Sequence, residues 1–112
     1  MPFIELSTGA GIDYMDTGGD KPVMTLLHGF LGTGETQFPN VVEWLMPNYR
    51  IIAPTMRGYG ASTPKPRTFP HDFYQKDARD MLALLEALHI PKTHLMGFSD
   101  GGEVSLLMSG YS

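Results

Sequence analysis

With 112 residues, a formal net charge of −4 and no cysteine, the chain is predicted to form one domain without disulfides or thiolate metal sites. Because the balance is acidic and no basic run occurs, neither nucleic acid nor an anionic membrane is expected as a partner. The N-terminus has no basic n-region and no apolar h-region, and no apolar run could cross a bilayer, so a reducing cytoplasm is the expected location.

Strand and helix patterns alternate along the chain. Residues 23–27 are an almost continuous apolar run, which is typical of a strand buried on both faces of a parallel sheet. Residues 72–89 have apolar side chains at helical spacing, and Asp72 and Gln75 are placed as in a capping box. The predicted strands are residues 3–7, 12–16, 23–27, 49–54 and 93–98, and the predicted helices are 38–46, 72–89 and 101–108. This order predicts an α/β fold: a mostly parallel sheet of about five strands with flanking helices.

The most informative motif is Gly97-Phe98-Ser99-Asp100-Gly101, which has the pattern G-x-S-x-G directly after a predicted strand. A serine on such a strand-to-helix turn is exposed as a nucleophile, and the next backbone N–H, that of Asp100, lies where an oxyanion would form. The alternative is a plain strand-Gly-helix turn in which the serine has no chemical role. A serine nucleophile needs a base, and usually an acid that orients the base. The four histidines, at positions 28, 71, 89 and 94, all precede Ser99, so neither partner is recognisable.

Several segments of the chain resemble the α/β-hydrolase fold family. The broad resemblance is carried by Leu27-His28-Gly29-Phe30, Arg57-Gly58-Tyr59-Gly60-Ala61-Ser62 and Gly97–Gly102. Residues 32–36, 69–73 and 99–102 look like the biphenyl-hydrolase-like, or valacyclovir-hydrolase-like, branch of that family. The resemblance covers nearly the whole chain but only the N-terminal half or less of the family's fold.

Residues 1–112 would therefore be a single partial α/β-hydrolase domain, with the first five strands and the nucleophile elbow. The later strands, the lid, the acid loop and the histidine loop have no counterpart in these residues. The chain departs from the family's pattern at Thr55, where Asp is common two residues before the Arg-Gly pair. This departure affects the hydrogen bonding expected around Arg57 and leaves the fold unaffected.

The resemblance implies a catalytic site in which Ser99 is the nucleophile and the backbone N–H groups of Phe30 and Asp100 form the oxyanion hole. Acyl transfer needs two donors aimed at one oxygen, which agrees with this arrangement. His28 and Gly29 belong to the oxyanion turn, and His28 has two interpretations. Its ring either fixes the Gly29-Phe30 turn through a backbone hydrogen bond or replaces the missing base, because the third and fifth strands of such a sheet are neighbours.

Asp100 also has two interpretations. Its carboxylate is favoured at the start of a helix by the helix dipole, or it is a counter-charge for a cationic group of the substrate, such as the amine of an amino-acid ester. No pair of histidines has metal-ligand spacing, so no metal and no cofactor are expected. Arg57 and Glu35 are expected to fix loops, whereas Trp44 and the Phe73-Tyr74 pair are expected in the core.

Three functions remain open from the sequence. The first is a serine hydrolase that acts on a small-molecule carboxylic ester through an acyl-serine intermediate, with this chain supplying nucleophile and oxyanion hole. Alone, the chain is then expected to be weakly active or inactive. The second is a catalytically incomplete half-domain, an assembly module that needs a partner for acid and base. The third is a non-catalytic binding domain with the same fold.

The strand over residues 93–98 gives an expectation about partners. In the family's fold it is central, whereas here its outer side would be unpaired, and it contains neither lysine nor proline to discourage pairing. Each buried unpaired backbone group costs on the order of 1–3 kcal/mol. A homodimer or a complementing chain is therefore expected along this edge.

Overall fold

The computed structural model describes residues 2–28, 39–65, 67–97 and 100–111. These residues form five strands and three helices that alternate after an initial pair of strands. In chain order they are β1 (Phe3–Glu5), β2 (Gly11–Asp16), β3 (Val23–Leu27), α1 (Pro39–Leu45), β4 (Arg50–Pro54), α2 (Phe73–Ala87), β5 (His94–Gly97) and α3 (Asp100–Tyr111). The predicted α/β architecture is confirmed. None of the helices formed by the described residues combines the length and the apolar character that crossing a bilayer requires.

The sheet combines a parallel part with an antiparallel edge. Its strand order is β1-β2-β4-β3-β5, and β3 pairs in parallel with both β4 and β5. β1 and β2 pair antiparallel to each other, and β2 joins β4 antiparallel. The register of β3 and β5 ends with Leu27 opposite Gly97, so the carboxyl ends of these two strands lie side by side. The predicted adjacency of the third and fifth strands is confirmed.

The apolar runs of β3 and β4 divide between two cores because successive side chains of a strand point to opposite faces. Leu27 and Ile52 belong to the larger core, which α2 and α3 cover. Leu26 and Ile51 belong to a smaller core on the other face, which α1 covers. All four side chains are fully buried, and for β3 this agrees with the predicted burial on both faces.

Two local expectations about the helices are wrong. Asp72 is the N-cap of α2, but its side chain makes no capping hydrogen bond. Its φ and ψ are −108° and 30°, whereas a capping side chain needs an extended N-cap backbone. Trp44 is 77% exposed and not part of the core. Residues 41, 42 and 45 of α1 face the sheet, and position 44 lies roughly 100° around the helix from their mean direction.

Candidate functional site

The G-x-S-x-G motif spans the short connection between β5 and α3. β5 ends at Gly97 and α3 begins at Asp100, so only two residues separate strand from helix. A Cβ atom on Gly97 would collide with the backbone of Gly101, and one on Gly101 would collide with the carbonyl group of Leu27 at the end of β3. The two glycines of the motif are therefore required by close packing of α3 against β5 and β3.

Most of the predicted reacting groups lie outside the described residues. Ser99, the predicted nucleophile, and Gly29 and Phe30, in the predicted oxyanion turn, lie outside the described residues, as does Glu35. Asp100 is the first residue of α3, so its backbone N–H is among the helix N-terminal donors that have no intrahelical acceptor. Its side chain also lies outside the described part of the structure.

His28 follows β3 directly and is fully buried. Its Nε2 accepts a hydrogen bond from the backbone N–H of Met56 at 2.9 Å, and its ring meets that of Tyr59 edge-on at 5.3 Å between centroids. Because Nε2 accepts, the proton of the neutral ring is on Nδ1. Neither nitrogen can then take a proton from a serine unless the bond to Met56 breaks. The geometry therefore argues against His28 as the replacement base and ties its ring to the loop after β4, whereas the Gly29-Phe30 turn that it was expected to fix lies outside the described residues.

Arg57 is held by a carboxylate of α2. Its Nε and Nη2 donate to Asp80 Oδ2 and Oδ1 at 2.6 and 2.7 Å, and the Thr8 hydroxyl donates to the same Oδ1 at 2.7 Å. The hydrogen bonds to Asp80 raise the pKa of the Arg57 guanidinium. The expectation that Arg57 fixes a loop is confirmed. Its carboxylate partner comes from α2, so the departure at Thr55 does not leave Arg57 without one.

A second ion pair lies one helical turn away on α2. Arg67 donates from Nη1 and Nη2 to the two carboxylate oxygens of Asp77 at 2.8 and 2.6 Å. Nη1 also donates to the carbonyl oxygen of Arg57 at 3.0 Å, and the guanidinium lies 4.8 Å from the centre of the Tyr59 ring. Burial raises the pKa of the Asp77 carboxyl, although the hydrogen bonds from Arg67 act against this.

Sequence reasoning missed both carboxylates of α2. The sequence pattern predicts the buried face of this helix from its apolar residues alone, yet Asp77 and Asp80 are each only 1% exposed. Two acidic residues spaced i, i+3 share one face of a helix, and here that face points inward. The available signal was this spacing together with two arginines, at 57 and 67, in the preceding irregular segment.

Ser62, from the Arg57–Ser62 motif, ties the segment after β4 to the sheet. Its hydroxyl donates to the carbonyl oxygen of Thr55 at 2.6 Å and accepts from the backbone N–H of Asp13 at 2.9 Å. The N–H of Thr55 in turn donates to the carbonyl oxygen of Asp13 at 2.8 Å. These hydrogen bonds hold the beginning of the loop that contains Met56, the residue whose backbone N–H donates to His28.

A cavity in the described part of the structure lies at the opposite end of β5 from the G-x-S-x-G motif. Its volume is about 980 Å³, and it is bounded by the C-terminal parts of α2 and α3 and by residues 90–95. Ligands of open parallel sheets bind at the carboxyl ends of strands, whereas this cavity lies at the amino end of β5. No group of three or more histidine, aspartate or glutamate residues in the described ranges could hold a metal ion.

Comparison with known proteins extends the match beyond single motifs. The alpha/beta hydrolase fold family matches residues 22–111. The human serine hydrolase BPHL is 40% identical over 100 residues, which cover 88% of this chain and 34% of that protein. The non-heme haloperoxidase of Rhodococcus erythropolis is 30% identical over 105 residues, covering 94% of this chain and 37% of that protein.

A solved structure reported among novel epoxide hydrolases from metagenomes of hot environments superposes with a TM-score of 0.86. It is 29% identical, over 96% of this chain and 36% of that one. The chain thus spans about a third of the length of the curated relatives it matches. The resemblance to the biphenyl-hydrolase-like branch is confirmed, and the chain belongs to the alpha/beta hydrolase fold family.

Proposed function

We propose that this chain supplies the nucleophile and the oxyanion hole of a serine hydrolase that cleaves small carboxylic esters. The observation that carries the proposal is that β5 ends at Gly97, beside Leu27 at the carboxyl end of β3, and that α3 begins at Asp100, the residue directly after Ser99 in the sequence. The reaction is not inferred from the fold, because the relatives named above include a serine hydrolase, a haloperoxidase and an epoxide hydrolase. It rests on the serine in the G-x-S-x-G turn.

In the proposed reaction, Ser99 Oγ attacks the carbonyl carbon of the ester. The carbonyl oxygen becomes an oxyanion that accepts hydrogen bonds from the backbone N–H groups of Phe30 and Asp100. The alkoxide then leaves and takes a proton, which gives an acyl-serine that water hydrolyses. The position of Asp100 at the start of α3 supports this, because a helix N-terminus stabilises negative charge.

The proton of Ser99 needs an acceptor that is not recognisable in these 112 residues. No histidine follows Ser99 in the sequence, and the Nε2 lone pair of His28 is engaged by Met56. We therefore propose that acid and base come from outside these residues. An enzyme of this class without its triad partners retains roughly 10³–10⁴-fold catalysis over water. The 112-residue chain is expected to acylate slowly.

Amino-acid esters are the proposed substrate subclass. A carboxylate directly after the nucleophile, at Asp100, suits an ester with a free amine. The acylation rates of an amino-acid p-nitrophenyl ester and its N-acetylated form can be compared in wild type and Asp100→Asn. A preference for the free amine that is lost in Asp100→Asn supports this subclass, and an unchanged preference contradicts it.

The function itself is tested by acylation with p-nitrophenyl acetate. The wild-type chain should release nitrophenolate slowly, and Ser99→Ala should abolish the release above the buffer rate. Ser105→Ala is the matched control, because its hydroxyl donates to the Gly101 carbonyl within α3 at 2.9 Å. Equal release from wild type and Ser99→Ala would overturn the proposal.

A partner at the sheet edge is a second part of the proposal. In the described sheet, β5 has β3 as its single neighbour, and Met96 on β5 is 37% exposed. Because an edge strand with exposed apolar side chains presents unpaired backbone groups to other strands, we propose that a second polypeptide pairs with the outer edge of β5. That polypeptide is either a complementing chain that carries the acid and base or a second copy of this chain.

A further inference from the structure

The buried face of α2 carries two carboxylates where a core helix normally carries apolar side chains. Asp77 and Asp80 are spaced i, i+3 and are each 1% exposed. A buried carboxylate is costly unless it is paired and hydrogen-bonded, and each of these is held by an arginine through two hydrogen bonds. Both arginines come from the segment after β4. The two ion pairs therefore fix that segment against the helix.

The ion pair between Asp80 and Arg57 is connected to His28 through the backbone of Met56. Asp80 fixes the guanidinium of Arg57, and the preceding residue, Met56, is the one whose N–H donates to His28 Nε2 at 2.9 Å. Met56 is itself 2% exposed and belongs to the larger core. Its amide therefore meets the imidazole in a closely packed environment.

The ion pair between Asp77 and Arg67 is connected to His28 through the ring of Tyr59. Asp77 fixes Arg67, whose guanidinium lies over the ring of Tyr59 and also donates to the carbonyl oxygen of Arg57. The Tyr59 ring in turn meets the His28 ring edge-on. Because Arg67 donates to the Arg57 carbonyl oxygen, the two ion pairs are also linked to each other. Through Met56 and Tyr59, both are connected to the same imidazole.

His28 directly precedes the turn whose Phe30 N–H is proposed as an oxyanion donor. We propose that Asp77 and Asp80 are positioning residues for the His28 imidazole at the end of β3, acting through Arg67 and Arg57. The inference rests on the proposed function for its catalytic consequence. A displacement of about 1 Å in a catalytic group can cost roughly a hundredfold in rate, so such support has a measurable effect.

The test measures the acylation rate of the 112-residue chain at saturating p-nitrophenyl acetate, together with the concentration that gives half the maximal rate. Asp80→Asn and Arg57→Lys should lower the maximal rate by roughly tenfold or more with little change in the half-saturating concentration. The matched control is Asp16→Asn, which breaks an ion pair of the same two-hydrogen-bond type with Arg50 at the amino end of β4, the end opposite to the segment that carries Arg57. It should leave both values unchanged.

A readout independent of catalysis is the ¹⁵N NMR signature of the His28 ring. In wild type, Nε2 should be the unprotonated nitrogen, and in the folded Arg57→Lys variant the two tautomers should mix. Arg57→Lys keeps the charge, so it remains informative if Asp80→Asn unfolds. Wild-type acylation together with an unchanged His28 signature in folded Arg57→Lys would overturn the inference. If Ser99→Ala acylates like wild type, the proposed function fails, and the NMR signature still decides whether the ion pairs position His28.

Discussion

Burial and ion pairing act in opposite directions at Asp77. Burial raises the pKa of the Asp77 carboxyl, and the hydrogen bonds from Arg67 only partly compensate. Burial is also the largest single influence on the Arg67 guanidinium and lowers its pKa, but the hydrogen bonds and charge of Asp77, together with Tyr59, hold that pKa above its ordinary value. At the more exposed pair, the hydrogen bond from Arg50 outweighs burial and lowers the pKa of Asp16. Depth of burial decides which influence is larger.

The Arg67–Asp77 pair should therefore show strong coupling in a double-mutant cycle. Asp77→Leu or Arg67→Met alone leaves one buried charge unpaired and should lower the free energy of unfolding by about 3–5 kcal/mol. The double variant should cost less than either single one, because no buried charge remains. Urea denaturation measures all four states. Additive costs would show that the two side chains do not act as a pair.

Asp16 predicts an acid-dependent part of the stability. Its folded-state pKa lies below the ordinary value of 3.8, so the pair with Arg50 stabilises the fold above that pH, and this contribution is lost as the pH falls through the folded-state pKa. Asp16→Asn should lower the free energy of unfolding at pH 6 and flatten its decline below pH 4. The exposed Asp20→Asn is the control. Parallel declines in wild type and Asp16→Asn would contradict the assignment.

At the scale of elements, α2 ends in a Schellman arrangement with an unusual residue. His89 has φ of +59°, its N–H donates to the Glu86 carbonyl at 3.0 Å, and the N–H of Ile90 donates to the Leu85 carbonyl at 2.9 Å. Glycine is the usual residue at this position, because its lack of a Cβ removes the strain of the left-handed conformation.

His89→Gly should consequently stabilise the chain by about 0.5–1 kcal/mol, after the higher entropy of glycine in the unfolded state is allowed for. The midpoint of urea denaturation measures the effect. His71→Gly is the control, since His71 is also exposed but is not among the positive-φ residues. A destabilised His89→Gly variant would show that the side chain makes a contribution larger than the backbone strain.

The sequence allowed some elements to be predicted well and others poorly, for physical reasons. The β3 strand was predicted with its observed bounds, because burial on both faces imposes an apolar run that is visible without tertiary information. The capping of α2 at Asp72 depends on backbone angles that composition does not fix. Asp77 could not be paired from sequence, because its partner Arg67 lies ten residues earlier in an irregular segment without periodicity.

For the whole molecule, the family could be predicted because the conspicuous glycines are required by packing. Gly97 and Gly101 allow α3 to approach β5 and β3, and a side chain at either position has no room. The predicted adjacency of β3 and β5 followed from the topology of the family's sheet. The partner of His28 could not be predicted, because the Met56 amide belongs to a loop that meets the imidazole only in the folded chain.

The outer edge of β5 predicts association. We expect the 112-residue chain to self-associate in sedimentation experiments or to bind a polypeptide that corresponds to the remaining two-thirds of the BPHL-type relatives. Met96→Lys should weaken either association, since a lysine on an edge strand opposes pairing. Met46→Lys, at an exposed methionine after α1, is the control. A clean monomer at high concentration that does not bind the complementing polypeptide, with amides 94–97 open to exchange, would refute this.

Labelling of Ser99 by a fluorophosphonate tests most directly whether this chain carries a nucleophile without its base. Ser99 Oγ would displace fluoride from phosphorus, and intact-mass and peptide mass spectrometry would follow the adduct over time. We expect one adduct that forms slowly, maps to Ser99, persists in Ser105→Ala and is absent from Ser99→Ala. An equal adduct in Ser99→Ala, or no adduct at Ser99 after long exposure, would contradict the serine nucleophile. Rapid stoichiometric labelling of the 112-residue chain would contradict the absence of a base.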